Sequence, residues 1–265
     1  MEDLSAASYE DVVEFFKKWY GPANASVVIA GDVDAKEAKA LAEKWFGELP
    51  ASAPLEPLAA RPVVLAAEKR LVIEDKVQLP RLYLSWPTPP YLSPPNAALD
   101  ATAGILAGGK NARLYKRLVY ELQVAQDVSA YQDTGALAST FNVVVTARAG
   151  HGLEELRKLV DEELVKLREA PPSEHELQRF KNQREAATYD GLETVGGFGG
   201  KADTLNGYFF YTGDPDYLEE DLARYQSLAP EDVHAVAQTF LGEGRVMLSV
   251  VPQGKTELAV PEVKQ

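Results

Sequence analysis

Residues 8–32 read SYEDVVEFFKKWYGPANASVVIAGD, and residues 229–252 read APEDVHAVAQTFLGEGRVMLSVVP. Glu10-Asp11-Val12 aligns with Glu231-Asp232-Val233, and Trp19-Tyr20-Gly21 with Phe240-Leu241-Gly242. Two residues are then lost before Val27-Val28-Ile29 meets Val246-Met247-Leu248. Each copy spells a capped amphipathic helix, a glycine stop and a short apolar strand. A separation of about 220 residues is too long for a solenoid period and implies two large homologous units. The chain is expected to hold the tail of one unit and nearly all of a second, as a piece of something longer.

Around the first copy, the spacing predicts a helix over 8–20, with Ser8 as N-cap and Glu10 and Asp11 suiting the helix dipole. A strand is expected over Val27–Ala30, ending at Gly31-Asp32. Asp34 caps a helix over 35–46, with Ala38, Leu41, Ala42, Trp45 and Phe46 on its apolar face, and Gly47 stops it. Residues 50–62, PASAPLEPLAARP, carry four prolines and no periodicity, the signature of an extended linker. The expected organisation is a tail of one homology domain over 1–49, a linker over 50–68, a second domain over 69–254, and a C-terminal tail over 255–265.

The second unit opens with strand signals at Arg70–Glu74 and Pro80–Trp86, then a proline-rich turn. Helices are expected over 96–107 and 111–122, parted by Gly108-Gly109. Strands follow over Ala125–Gln132 and Ala138–Arg148, joined through Asp133-Thr134-Gly135. Further helices are expected over 152–169, 173–190, 193–211, 216–226 and 230–241, and a last strand over 245–251. That order predicts an α+β fold, a mostly antiparallel sheet with helices packed on one face.

Composition sets outer bounds. The 265 residues are 46% hydrophobic, enough for a substantial core. No stretch approaches the roughly 20 apolar residues of a membrane span, and the acidic start MEDLSAASYED lacks the zones of a signal peptide. The net charge of −13 disfavours nucleic acid and anionic membrane as partners. With no cysteine, disulfides, thiolate metal sites and cysteine nucleophiles are all excluded. Cysteine usage leaves the compartment open, since cytoplasmic and periplasmic proteins alike can do without it.

The chemical motifs read mostly as structure. His151, His175 and His234 stand too far apart for a helical zinc pair; each sits in or near a first turn among acids and is read as solvated. Gly104–Asn111 nearly spells a phosphate loop, but Asn111 replaces the magnesium-binding Ser or Thr and helical spacing precedes it. Its plainer reading is a helix-stop-helix corner. Gly196-Gly197-Phe198-Gly199-Gly200 reads as a bent or loosely packed helix. The acidic runs at 154–155, 161–163 and 219–221 read as solvated helix faces, and Tyr208–Tyr211 as helix core. The chain offers no catalytic residue and no metal ligand of its own.

Several segments together resemble the M16 zinc metallopeptidases, the group of pitrilysin, insulin-degrading enzyme and the mitochondrial processing peptidase. YEDVVEFFKKWYGPANASVVIAGDVDAKEAKALAEKWFGELP is similar to the close of one M16 homology domain. LAGGKNARLYKRLVYELQVAQDVSAY resembles the helix, Gly-Gly, Arg-Leu-Tyr and strand of the next, and HGLEELRKLVDEELVKL and SEHELQRFKNQREA its later helices. The resemblance implies a zinc site built on an inverted HxxEH motif with a downstream Glu, and two halves closing around an unfolded peptide that adds to a sheet edge. None of those ligands has an equivalent here. Zinc is therefore expected in the parent protein or a partner, and the partner in a catalytic HxxEH-bearing half. Many members present an Arg and a Tyr from the hairpin to the substrate carbonyl. The corresponding region, about Ala130–Arg148, offers Tyr131, Phe141 and Arg148 in a different order, so that pair stays unassigned. Tyr131, at a strand end, is the one candidate for substrate binding, its alternative being core or rim packing. The expected role is a non-catalytic wall of a peptidase chamber; the rival is a catalytically inactive M16-like scaffold or assembly subunit.

Overall fold

The computed structural model describes residues 2–56, 58–60 and 62–261. Pro57 and Arg61 of the expected linker, and 262–265 of the expected C-terminal tail, lie outside them. By Cα proximity the chain groups into two compact units: residues 1–58 with 187–219, and residues 59–186 with 220–265.

In the first unit, α1 (Glu2–Ala6), α2 (Tyr9–Trp19) and α3 (Ala35–Phe46) are followed much later in sequence by α7 (Lys201–Thr212). Local chemistry sets the helix starts. Ser8 and Asp11 close a capping box on α2, Asp11 N–H donating to Ser8 Oγ at 3.2 Å and Ser8 N–H to Asp11 Oδ2 at 2.8 Å. Asp34 accepts from the N–H groups of Lys36 and Glu37 on α3, both at 2.9 Å. Neither α2 nor α3 buries a side chain. Phe15, Phe16, Trp45 and Phe46 are all exposed.

Two expectations fail in this unit. Residues 25–30 form no strand; a strand exists only through its ladder, and no described segment pairs with this one. The helix expected over 193–211 begins only at Lys201. Gly197 and Gly199 adopt φ of 81° and 78°, left-handed backbone that interrupts a right-handed helix and that glycine takes at no steric cost. The 196–200 run is thus a loop, not a bent helix.

The second unit carries a five-stranded sheet: β1 (Lys69–Asp75), β2 (Arg81–Thr88), β3 (Ala125–Asp133), β4 (Ser139–Ala147) and β5 (Val246–Pro252), in spatial order β1-β5-β2-β4-β3. Only β1 and β5 run parallel. Its helices are α4 (Asn96–Ala107), α5 (Leu153–Glu169) and α9 (Pro230–Phe240). Two more helices, α6 (Glu174–Gly191) and α8 (Leu218–Gln226), have most of their length here.

One core forms on one face of the sheet. β2 alternates strictly, with Leu82, Leu84, Trp86 and Thr88 buried and Tyr83, Ser85 and Pro87 half-buried between them. Leu82 and Leu84 pack with Val143 and Val145 of β4, Met247 and Val251 of β5, and the apolar stripes of α4, α5 and α9. At roughly 1.5–3 kcal/mol per buried large apolar side chain, this cluster is the main source of the unit's stability. Trp86 is fully buried; its indole N–H donates to the Gly242 carbonyl at 2.8 Å and its ring meets Phe141 edge-on. Pro87 is tolerated in β2 because pairing with β5 ends at Ser85, leaving a single neighbour strand there.

The helix expected over 111–122 is wider than an α-helix. Residues Tyr115–Glu121 form π turns, with Leu122 N–H donating five residues back to Arg117 at 2.9 Å. Gly104 lies under α6, where any Cβ would collide with the Phe180 ring. Gly108 ends α4 and Gly109 takes φ of 97°. The near-match to a phosphate loop is a packed helix end.

Candidate functional site

The face of the sheet opposite the core is read from the register. Ser85 on β2 pairs with Asn142 on β4, which pairs with Tyr131 on β3. One row along, Leu71, Leu248, Tyr83, Val144 and Ser129 run across all five strands. Leu71 and Ile73 are half-exposed, giving the β1–β5 side an apolar character. The β3 side is polar: Arg81 Nε donates to Thr146 Oγ1 at 2.9 Å, and that hydroxyl donates to Asp127 Oδ1 at 3.2 Å.

Tyr131 stands on this second face, 46% exposed, so its ring is not part of the core. Of the other residues in that region, Phe141 is fully buried against Trp86, and Arg148 donates to Gln123 Oε1 at 3.5 Å on the surface. The three are not brought together.

Strand alternation puts Gln132, next to Tyr131, on the core side, where it enters a buried polar cluster. Gln132 Nε2 donates to Asp100 Oδ1 at 2.7 Å and to the Asn96 carbonyl at 2.9 Å. Tyr225 donates its hydroxyl to Asp100 Oδ2 at 2.8 Å. Arg224 joins Asp221 at 2.7 Å and Asn96 Oδ1 at 3.2 Å, and the Arg184 guanidinium lies 4.4 Å over the Tyr225 ring. Burial holds the Asp100 carboxyl above the usual carboxylate range, although hydrogen bonds from Gln132 and Tyr225 and the charges of Arg184 and Arg224 pull it down. Burial likewise raises the Tyr225 phenol, with the Asp100 charge adding to it. The cluster pins β3 and α8 to α4 and so fixes the strand that carries Tyr131.

The acidic runs are less solvated than their spacing implies. Glu163 is 4% exposed, accepting from Arg117 Nη1 at 2.8 Å and Lys166 Nζ at 2.7 Å. Asp161 receives two bonds from Arg245, at 2.5 and 3.0 Å, and Asp221 is buried beside Arg224. Local sequence carried no sign of the Glu163 and Asp161 pairs, because Arg117 and Arg245 arrive from other elements, whereas Arg224 meets Asp221 from the same helix.

His151 Nδ1 lies 2.9 Å from Glu155 at the surface. His234 is not simply solvated: it is half-buried, and its Nδ1 donates to the Leu167 carbonyl at 2.8 Å. Among the described residues no group of three or more His, Asp or Glu side chains could hold a metal ion. The donor set does not fit a zinc centre. No helix among them is long and apolar enough to cross a membrane.

Comparison with known proteins agrees with this geometry. The chain is 28% identical over 257 residues to an uncharacterized zinc protease of Streptomyces coelicolor, covering 95% of this chain and 55% of that protein. It spans about half the length of the curated relatives it matches. Among solved structures, a protease from Helicobacter pylori superposes with a TM-score of 0.83 at 22% identity, over 95% of this chain and 61% of that one. A peptidase M16 inactive domain from Pseudomonas fluorescens superposes with a TM-score of 0.79 at 21% identity, over 95% and 60%. Residues 6–184 match the family described as the peptidase M16 inactive domain. With most of its length in that match, the chain belongs to the M16 peptidase family, through the domain described there as inactive.

Proposed function

We propose that this chain is the non-catalytic portion of an M16-type zinc peptidase, walling the cleavage chamber and helping to hold the substrate peptide. The observation that carries this reading is the match of residues 6–184 to the inactive domain of the family. Zinc and the HxxEH motif come, on this reading, from a catalytic half in the same polypeptide or a partner chain. That half would hold the zinc on its own motif residues, and the metal would supply the hydrolytic chemistry that no residue of this chain is assigned.

The second face of the sheet is the surface we assign to the substrate side, with Tyr131 as the contact residue. β3, which carries it, pairs only with β4 among the described residues and so presents an edge to which an extended peptide can add. The domain division follows: 1–49 closes one homology domain, 50–68 links, and 69–254 is the second.

The test is to assay this chain alone, and together with an HxxEH-bearing half, for bound zinc and for peptide cleavage. We expect no stoichiometric zinc and no cleavage alone, with cleavage in the mixture that depends on this chain and weakens in Tyr131→Ala. One zinc per chain, or turnover by residues 68–265 alone, overturns the reading. A stable complex that cleaves nothing identifies a scaffold instead.

A further inference from the structure

Among the described residues of the first unit, only Gly21, Gly200 and Tyr208 are buried. α2 and α3 are 11 and 12 residues long, and helices of that length hold in water mainly by packing an apolar face. Here those faces are bare, with Val12, Phe15, Phe16, Leu41 and Trp45 all about half exposed or more. On α2 the exposed rings form one patch, the centroids of Phe15, Phe16 and Tyr20 lying 4.7–6.1 Å apart. A contiguous apolar patch, unlike a scattered residue, marks a place of contact.

Beside it runs a segment with strand chemistry and no ladder. The backbone of Ser26–Ala30 makes no backbone–backbone hydrogen bond to any described residue. Its exposure nevertheless alternates, Val27 and Ile29 exposed, Val28 and Ala30 half-buried, which is the two-residue period of a strand. The phase is that of β5, where the aligned Met247 and Ser249 are buried and Val246 and Leu248 half-buried. Unpaired backbone groups in an apolar segment call for partners.

The second copy shows what kind of cover fits. β5 lies between two strands, parallel to β1 and antiparallel to β2, and Val236 and Ala237 of α9 join the core on one face of that sheet. The equivalent seat for residues 26–30 is a gap between two strands, with an apolar layer beside it for Phe15 and Phe16. A second copy of this chain does not supply that seat. Its five described strands are hydrogen-bonded without a break, so it presents sheet edges, each with one neighbour to give. The relatives carry further polypeptide, since the match takes in 55% of the Streptomyces protein. We propose that Ser26–Ala30 inserts as an interior strand into the sheet of the HxxEH-bearing half, with the α2 aromatics packed on one face of that sheet. The partner's identity rests on the peptidase reading above; the insertion rests on the segment and the patch.

The test is amide hydrogen exchange followed by NMR, on the full chain alone and with the HxxEH-bearing half supplied as a second polypeptide. Alone, residues 27–30 should exchange freely; in the complex, Val27, Val28, Ile29 and Ala30 should all slow by more than about 100-fold. Consecutive residues of a strand turn their N–H groups to opposite sides, so four protected in a row require a neighbour on each side. Protection at every second residue means an edge strand and overturns the insertion, as does the absence of any complex. Concentration-dependent protection in the chain alone makes a second copy the occupant and overturns the partner. Val28→Pro, which removes a ladder donor, should weaken the complex by about 10-fold or more while leaving the urea midpoint of the chain alone unchanged. Val12→Asp should weaken it by about 100-fold or more, and Tyr120→Ser, on an exposed position of the second unit, should not. Binding indifferent to both Val28→Pro and Val12→Asp overturns the proposal. Cleavage with residues 27–30 unprotected sinks the insertion and spares the peptidase reading; full protection without cleavage does the reverse.

Discussion

The two copies of the helix–strand pattern have opposite fates. In the second, Val233, Val236 and Ala237 of α9 and Met247 of β5 are buried. In the first, the aligned Val12, Phe15 and Phe16 are about half exposed, and Val28, aligned with Met247, is only half-buried. β5 lies between β1 and β2 and ladders with both, whereas residues 25–30 have no strand beside them among the described residues. The same spelling therefore gives a core element in one place and a bare amphipathic helix with an unpaired apolar segment in the other. Amphipathicity specifies which side of a helix must be covered, not whether a cover is present.

The comparison can be broken by substitution. The largest contrast should come from Val233→Asp, which buries an unpaired charge and should cost more than about 4 kcal/mol. Val12→Asp, on an exposed face, should stay within about 0.5 kcal/mol. Urea unfolding followed by circular dichroism measures both, and equal losses would mean that α2 is as buried as α9. Met247→Ala should cost about 2–5 kcal/mol, against a smaller loss for Val28→Ala at the aligned, only half-buried position.

A second pair sharpens the contrast through pH. Ser8 with Asp11 and Ser173 with Glu176 form the same reciprocal cap. Glu176 also accepts a two-pronged bond from Arg113, at 2.6 and 2.9 Å, which with the Ser173 bonds brings its carboxyl down to about 2 against the opposition of burial. Because the folded state lowers this pKa, the stability it contributes is complete above about 4.5 and is lost as pH falls toward 2. Glu176→Gln should therefore cost about 1.5–3 kcal/mol at neutral pH and flatten the stability profile between those two values. Asp11, fully exposed, is lowered only by its bonds to Ser8, and Asp11→Asn should leave the profile nearly unchanged.

The smallest effect is a gain. Asp232 Oδ2 accepts from the Ala229 N–H at 2.8 Å, so half of the capping box survives in the second copy. Ala229→Ser supplies the missing hydroxyl in an already extended backbone, and should stabilise by about 0.5–1 kcal/mol, read as a rise in the urea midpoint.

Sequence alone determined what is local. The cap at Asp34, the span of α4 over 96–107 and the hairpin of β3 and β4 follow from side chains that act within a few residues of one another. Family membership was legible for a related reason, since it rests on the order and spacing of such segments. Only the tertiary structure decided what depends on distant partners. It left residues 25–30 without a ladder and opened the glycine loop before α7. It also buried Glu163 beside Arg117, paired Asp161 with Arg245, and turned Tyr131 to the face away from the core. Strand pairing and the compensation of buried charge join residues far apart in the chain, so no window of sequence contains both members of the pair.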